Sequence, residues 1–205
     1  MCSYIKDINN FGFEKINIIG FIDTEKEVFD ENAMKYKFTQ PFLGTINDFD
    51  YNVNAKLILG FANIKEKSNI INKLAEKKID YHTVIHPSSI IDDSAKIGRG
   101  NIIGPNCVIG PAVLIGNHNV ITSYSFISHD CRVGSNNFFS TSGLAGGVNV
   151  GDNNYFGIRA TILPRLDVGS NNIIQAGMIV DKNITESETV FFKYKESVRI
   201  IIKNE

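Results

Sequence analysis

An aliphatic or aromatic residue returns at every sixth position from Ile85 to about Thr185 of this 205-residue chain. Neither the helical period near 3.6 residues nor the alternation of an ordinary strand produces a strict period of six. The first series comprises Ile85, Ile91, Ile97, Ile103, Ile109, Ile115, Ile121, Ile127, Val133 and Phe139; the second comprises Val150, Phe156, Ile162, Val168, Ile174 and Val180. A fixed short period predicts a solenoid whose stacked units bury one continuous core.

A repeat of six residues favours a triangular parallel β-helix. Each unit supplies one short strand and one corner, three units close a coil, and the repeat predicts about five to six coils. Small or polar residues two positions before the aliphatic one, and glycines directly after it, suit tight corners with positive φ. A sandwich of ordinary strands would place turn signals every eight to twelve residues instead of every six. We therefore predict a parallel β-helix over residues 81–185 and a terminal cap over residues 186–205.

The register of the repeat breaks once, between Phe139 and Val150, which are eleven residues apart instead of twelve. The gap contains the sequence SGLAGG, residues 142–147. Glycine within a strand pattern is typical of a bulge. We therefore expect a bulge here that exposes backbone N–H and C=O groups to a ligand.

Residues 1–80 have a different pattern and form a predicted α/β subdomain. The apolar runs Ile16–Asp23 and Lys56–Ala62 are typical of buried parallel strands, with a turn or short strand between them. Glu66–Lys78 has apolar residues at helical spacing among charges, which indicates an amphipathic helix. Ligands of such sheets bind at the carboxyl ends of the strands. The candidate substrate-binding residues at those ends are Asp23, Thr24, Gly60 and Asn63.

Composition narrows the classes of function. A net charge of -1 argues against a nucleic-acid partner. No run of eighteen apolar residues exists to span a membrane, and the N-terminus lacks the pattern of a signal peptide. The three cysteines, Cys2, Cys107 and Cys131, make no even framework and are expected to be reduced. Together these features predict a cytoplasmic protein.

The strongest candidate for chemistry is His129, which Asp130 follows directly. Histidine is suited to general-base catalysis near neutral pH, and a carboxylate can hold the imidazole tautomer and stabilise its charged form. A corner of the solenoid would project both side chains outward. The other histidines have simpler interpretations: His82 and His86 as structural residues at the entry to the repeat, and His118 as a solvated corner residue.

The run IHPSSIIDDSAKIGRGNIIGPNCVIGPAVLIGNHNVIT, residues 85–122, resembles the left-handed hexapeptide-repeat acyltransferases. With an α/β segment before the repeat, the whole layout resembles the sugar acetyltransferases of the PglD and NeuD type. This resemblance implies a left-handed helix, a homotrimer and acetyl-CoA as co-substrate. It also implies N-acetylation of a nucleotide-linked amino sugar, a 4-amino-4,6-dideoxy sugar used in surface glycans, with His129 as general base and Asp130 assisting it.

The same resemblance assigns further positions. Gly146 and Ile158 match residues whose backbone groups hold acetyl-CoA between subunits, and Phe138 stands where the family has a histidine that reaches the cofactor. Asp23 matches an acidic residue that contacts the nucleotide. The chain departs from the family at its start, because the usual first strand and the glycine-rich loop that cradles a pyrophosphate are not found there; Met1 stands where the first helix of the family would be. Apart from the resemblance, the cations Arg159, Arg165 and Lys182 could pair with the phosphates of CoA, although single exposed cations are usually solvated.

Three other readings of the sequence remain open. The same fold could transfer acetyl to a hydroxyl of sialic acid or of a capsular sugar. It could serve as a non-catalytic scaffold, in which His129 would be dispensable. A zinc hydratase needs three converging ligands, and its typical pair of histidines five residues apart does not occur here, so we expect no metal.

Overall fold

The computed structural model describes residues 2–12, 14–51 and 54–191. The helices of these ranges are α1 (Cys2–Phe11), α2 (Lys26–Tyr36) and α3 (Ile64–Leu74), and the first two strands are β1 (Phe21–Asp23) and β2 (Phe42–Thr45). Eighteen strands of two residues follow: β3 (Val84–Ile85), β4 (Ile90–Ile91), β5 (Lys96–Ile97), β6 (Ile102–Ile103), β7 (Val108–Ile109), β8 (Leu114–Ile115), β9 (Val120–Ile121), β10 (Phe126–Ile127), β11 (Arg132–Val133), β12 (Phe138–Phe139), β13 (Gly143–Leu144), β14 (Asn149–Val150), β15 (Tyr155–Phe156), β16 (Thr161–Ile162), β17 (Asp167–Val168), β18 (Ile173–Ile174), β19 (Ile179–Val180) and β20 (Thr189–Val190).

These short strands form a three-sided prism, as the period of six predicts. The first face contains β3, β6, β9, β12, β15, β18 and β20; the second contains β4, β7, β10, β13, β16 and β19; the third contains β5, β8, β11, β14 and β17. All pairings within the faces are parallel. The second residue of each strand points inward, and the inward residues from Ile103 to Val180 are buried. The predicted solenoid, with its single continuous core, is confirmed.

The corners use the left-handed backbone conformation. One residue with positive φ stands at nearly every corner, and several of these residues are neither Gly nor Asn. The non-glycine examples in the prism are Asn106, Ala112, His118, Tyr124, Asp130, Asn136, Thr141, Asn153, Arg159, Arg165, Asn171 and Ser187. Because this conformation costs about 1–2 kcal/mol for most residues, the stacking of the coils must impose it.

A column of buried asparagines runs inside the corner between the third and first faces. Its members are Asn101, Asn119, Asn137, Asn154 and Asn172, all at most 1% exposed. Asn137 shows the bonding of an interior member. Its Oδ1 accepts from the backbone N–H (2.8 Å) and the Nδ2 (3.0 Å) of Asn154, and its Nδ2 donates to Asn119 Oδ1 (3.1 Å) and to the Gly151 carbonyl (2.9 Å). This asparagine ladder satisfies polar groups that the tight corner would otherwise leave buried and unpaired.

The predicted glycine-rich bulge is wrong. Gly143–Leu144 is an ordinary strand that pairs with β10 below and β16 above, and Leu144 is fully buried. The turn before this strand is one residue shorter than the other turns, and its Thr141 has φ 45°. The inward positions are therefore Phe139, Leu144 and Val150, and the stacked hydrogen bonds continue because only the corner is shortened.

The N-terminal segment is less regular than predicted. Of the run Ile16–Asp23 only β1 is a strand; it is half-buried and pairs in parallel with β2. The strand expected at Lys56–Ala62 is absent, since residues 56–62 contribute a single bridge from Leu57 to Tyr81. In a doubly wound sheet such a strand would pair with one that precedes the first helix. No such strand lies in the described residues, so the segment has no neighbour with which to extend its ladder.

The predicted amphipathic helix is present as α3, although it begins at Ile64 and ends at Leu74. Its buried residues include Ile70, Leu74 and Lys67. Lys67 is only 1% exposed, and its Nζ donates to the carbonyl oxygen of His118 at 2.7 Å. Burial lowers the pKa of Lys67 from 10.5 to about 8. A buried lysine therefore joins the α/β segment to the prism.

His118 is not the solvated corner residue that the sequence suggested. Its ring packs edge-on against Tyr81, with centroids 4.5 Å apart, and its Nδ1 is buried. Burial and then the charges of Lys67 and Arg99 lower the pKa of His118 to about 4. The α/β segment covers this corner. The repeat pattern did not reveal this contact, because the contacting residues lie outside the repeat. His86, one of the two histidines at the entry to the repeat, is buried and contacts Asp7 and Ser88, as its structural interpretation required.

At the far end, β20 adds a last strand to the first face and Ile184 bridges to Val168. The expected cap over residues 186–205 is described as far as Phe191, and the remainder lies outside the described residues. Among the helices that the structure describes, none has the length and apolar character required to cross a membrane.

Removing one rung of the asparagine ladder should destabilise the whole prism. Asn137→Ala leaves the Asn154 N–H and the Gly151 carbonyl buried without partners, and each such group costs about 1–3 kcal/mol. We expect the free energy of unfolding in urea to fall by about 2–4 kcal/mol. Asn149→Ala, on an exposed position of the third face, is the matched control and should change it by less than about 0.5 kcal/mol. Equal losses in the two variants would contradict this role of the ladder.

Replacement of Lys67 should change how stability depends on pH. The folded-state pKa of about 8 lies below the ordinary 10.5, so the unfolded chain binds more protons between these values and this group makes stability rise with pH across that window. The difference in pKa corresponds to about 3 kcal/mol. The free energy of unfolding of Lys67→Met minus that of the unmodified chain should therefore decrease by up to this amount between about pH 7.5 and 10.5.

This difference is the right quantity to measure, because burial raises the pKa of the Cys107 and Cys131 thiols and these groups lower stability over the same pH range in both proteins. Lys65→Met, at an exposed position of the same helix, should give a difference that does not vary with pH. A constant difference for Lys67→Met would show that the buried ammonium does not titrate as expected.

Candidate functional site

The corner between the second and third faces brings His129 and Asp130 together. They follow β10 and precede β11, and the imidazole Nδ1 lies 2.8 Å from Asp130 Oδ2. Both side chains are more than half exposed. Asp130 has φ 59°, and its backbone N–H donates to the Pro111 carbonyl one coil below. The left-handed corner thus turns the carboxylate back toward the imidazole of the preceding residue.

Gly146 occupies the position directly above this imidazole. A Cβ built on Gly146 would lie 2.5 Å from His129 Nε2 and 2.6 Å from its Cε1, so only glycine leaves the ring where it is. The next coil is fixed to this corner by a hydrogen bond from the Gly147 N–H to the His129 carbonyl at 2.9 Å. The Gly146 carbonyl accepts from Arg165, whereas its N–H donates to no group in the described part of the chain.

Cys131 supports the corner from inside. It is fully buried, and its thiol donates to the carbonyl of Ala145, the residue before Gly146, at 3.1 Å. Burial raises the pKa of this thiol, which keeps it neutral and unreactive. All three cysteines are free, and Cys107 is likewise buried, at a corner between the first and second faces.

The other two candidate cofactor residues lie elsewhere in the same chain. Phe138 points outward from the first face, stacked on Tyr155 with ring centroids 5.5 Å apart. It lines a small cavity of about 120 Å³ together with Tyr4 and Gly60. Ile158 stands at the corner between the first and second faces with an exposed side chain. Within one chain, only Gly146 of the three candidates contacts His129.

The four candidate substrate residues do not form one cluster of side chains. Asp23 is the last residue of β1 and accepts from the Thr24 N–H at 2.7 Å, while Gly60 lines the cavity on the first face. Asn63 caps α3, because its Oδ1 accepts from the backbone N–H groups of Lys65 and Glu66 at 3.0 and 3.2 Å. The helix cap accounts for Asn63 without a ligand.

One exposed apolar surface was missed in the sequence. The first residue of each short strand points outward, and on the second face most of these residues are apolar and exposed. This apolar stripe consists of Ile90, Val108, Phe126 and Ile179. The Phe126 ring lies over Gly143, where a Cβ would approach it to 2.2 Å. The third face instead presents Lys96, Leu114, Arg132, Asn149 and Asp167. Reading the position before each inward residue, face by face, would have revealed the stripe.

Across the residues that the structure describes, no group of three or more His, Cys, Asp or Glu side chains is placed to hold a metal ion. His129 has only Asp130 beside it as a further ligand type. The arrangement fits acid–base chemistry at an exposed corner, with a free backbone N–H adjacent to the imidazole.

Comparison with solved structures establishes the fold. The acetyltransferase domain of PglB from Neisseria gonorrhoeae in complex with acetyl coenzyme A matches at TM-score 0.70 and 18% identity, over 91% of this chain and 88% of that one. PerB from Caulobacter crescentus in complex with CoA and GDP-perosamine matches at TM-score 0.69 and 21% identity, over 85% and 93%. WeeI from Acinetobacter baumannii matches at TM-score 0.65 and 21% identity, over 84% and 95%. No protein-family model matches the chain.

At these identities the likeness defines the architecture: a left-handed parallel β-helix preceded by a small α/β segment, as the sequence resemblance implied. The handedness, which the repeat by itself left open, is thereby fixed. The roles of individual residues rest on the geometry described above.

A methyl group at position 146 should displace the His129 imidazole. The added Cβ would lie 2.5 Å from Nε2, and the exposed ring is free to rotate away, so Gly146→Ala should break the 2.8 Å contact between His129 Nδ1 and Asp130. The imidazole ¹⁵N chemical shifts of His129 report this change.

Gly147→Ala is the matched control, since Gly147 has φ 72° and a Cβ there would meet only Arg165, at 3.4 Å. It introduces backbone strain without touching the ring. Unchanged His129 shifts in Gly146→Ala, or equal changes in the two variants, would show that Gly146 does not determine the position of the imidazole.

Proposed function

We propose that this protein is an acetyl-CoA-dependent N-acetyltransferase that modifies the amino group of a nucleotide-linked amino sugar. The observation that carries the proposal is the His129–Asp130 pair at a β-helix corner, with the free Gly146 N–H beside the imidazole. The structural neighbours support it, because PglB is described as an acetyltransferase and PerB was solved with CoA and GDP-perosamine. A 4-amino-4,6-dideoxy sugar is the acceptor class we infer.

In this mechanism His129 acts as general base. Its Nδ1–H donates to Asp130, which leaves the Nε2 lone pair to take the proton from the acceptor amine as the nitrogen attacks the thioester carbonyl. A C–N bond forms, the C–S bond breaks, and the leaving CoA thiolate takes up a proton. The Gly146 N–H has no partner in the described part of the chain, and we propose that it stabilises the oxyanion of the tetrahedral intermediate. Asp130 orients the imidazole and stabilises its charged form.

We further propose that the active protein is a homotrimer. The exposed apolar stripe on the second face is the kind of surface that packs against another copy. It lies between two corners, one carrying His129 and Gly146 and the other carrying Ile158. In a ring of copies, the first corner of one subunit can face the second corner of the next, so that acetyl-CoA contacts Gly146 and Ile158 from different chains. Phe138, on the first face, would border the same groove.

For the acceptor, we propose that Asp23 and Thr24 contact the nucleotide and that Gly60 and Asn63 lie beside it. Asp23 stands at the carboxyl end of a parallel strand, where ligands of such sheets bind. Gly60 lines a cavity that also contains Phe138, which joins the α/β segment to the inferred cofactor groove. The buried, reduced thiols are consistent with action in the cytoplasm.

Release of free thiol from acetyl-CoA tests the proposal with a panel of nucleotide-linked amino sugars, sialic acids and free sugars. We expect turnover on a nucleotide-linked amino sugar, lowered about 10²–10⁴-fold in kcat by His129→Asn because a general base contributes that much. Asp130→Asn should cause a smaller loss, since Asp130 orients the imidazole and stabilises its charged form but does not itself take the proton. Sedimentation equilibrium of the same preparations should give the mass of three chains.

Asp93→Asn is the matched control, because Asp93 is an exposed residue at the position equivalent to His129 two coils below. It should retain full activity. Turnover only on a sialic acid would replace the N-acetyl proposal by O-acetylation. No thiol release with any acceptor, from a folded trimer, would overturn the enzymatic function and leave a scaffold.

A further inference from the structure

A second candidate site lies at a different corner of the prism from His129. A groove of about 570 Å³ runs between the end of α3 and the corner joining the third and first faces. This volume falls within the range of small-molecule sites. The groove is lined by apolar residues of α3 and by the charged or polar side chains Lys77, Lys78, Asp80, Tyr81, Arg99, Asn117 and His118.

The charge of this groove is strongly positive for a chain whose net charge is -1. Three cations line it, and the buried Lys67 lies behind its wall, bonded to the His118 carbonyl. Asp80 is the only carboxylate among the lining residues, and it lies 3.3 Å from Lys56, so it is already paired. Two of the last carbonyls of α3 are also occupied, because those of Asn72 and Leu74 accept from backbone N–H groups.

His118 supplies a further donor. Its Nδ1 is buried without a hydrogen-bond partner in the described part of the chain, and a Cβ built on Gly100 would lie 2.5 Å from it. A neutral imidazole with one nitrogen enclosed in this way carries its proton on the other, Nε2, at the edge of the ring away from Gly100. Burial and the nearby cations lower the pKa of His118 to about 4. The ring is therefore neutral at physiological pH and donates one N–H.

We propose that this groove binds a small phosphate-bearing anion, which bridges Lys78 at the end of α3 to Arg99 and His118 on the prism. The guanidinium fork of Arg99 matches two phosphate oxygens, Lys78 adds a point charge, and the imidazole N–H completes the donors. The ligand would contact both the α/β segment and the β-helix, and so would stabilise their association. This site is separate from the proposed acetyl-transfer corner and does not depend on that activity.

Pyrophosphate and inorganic phosphate are the probes, with chloride at matched ionic strength as reference. We expect pyrophosphate to raise the melting temperature of the full chain by mass action and to shift the imidazole resonances of His118. Arg99→Gln and Lys78→Gln should each weaken pyrophosphate binding by about 10- to 100-fold in calorimetry, since each removes a charge-assisted hydrogen bond. Arg132→Gln, an exposed arginine of the third face, should bind like the unmodified chain.

Pyrophosphate could also bind the proposed nucleotide site, and the variants separate the two. Binding that shifts His118 and is lost in Arg99→Gln, but is retained in His129→Asn, supports the groove whatever the outcome of the thiol assay. Binding that is unaffected by Arg99→Gln and Lys78→Gln, or that is lost equally in Arg132→Gln, would indicate adventitious ion binding only and overturn the proposal. Absence of binding to the unmodified chain would overturn it as well.

Discussion

The buried asparagine ladder is the constraint on which the rest of the prism depends. At the corner between the third and first faces the turn is so tight that backbone groups face inward, and the side chains of Asn101, Asn119, Asn137, Asn154 and Asn172 bond to them coil after coil. Because each asparagine bonds to its equivalents above and below, the ladder sets the vertical register of the coils. Apolar stacking, as between Phe139 and Phe156 with centroids 4.4 Å apart, then fills the space that this register defines.

That register positions the candidate site. His129 and Gly146 are seventeen residues apart and not eighteen, yet they are neighbours in space, because the turn at Thr141 is one residue short. The shortened turn leaves β13 in its ladder and places a glycine, and no larger residue, against the imidazole. The geometry of this corner therefore depends on the shortened turn at Thr141 as much as on the histidine and aspartate themselves.

The sequence was informative where the repeat was strict. A period of six predicted the coils, their inward residues and the small polar residues of the corners, because each unit makes the same local contacts. Prediction from the sequence failed where the contacts are not local. The run Lys56–Ala62 has the composition of a strand but pairs only through the bridge from Leu57 to Tyr81. His118 has the pattern of a free corner but contacts Lys67 and Tyr81. The glycines of residues 142–147 were attributed to a bulge, although Gly143 makes room for Phe126 and Gly146 for His129.

The repeat itself does not determine how many coils stack on one another. At the top of the ladder, Asn172 Oδ1 accepts from the Glu188 N–H, but its Nδ2 is buried and finds no partner among the described residues. In the described part of the chain, the last strands of the first and second faces, β20 and β19, likewise pair on one side only, and their free edges would fit another parallel strand. A solenoid of this kind is thus poised for end-to-end polymerisation, and its existence as a discrete particle requires that termination be encoded by segments outside the repeat.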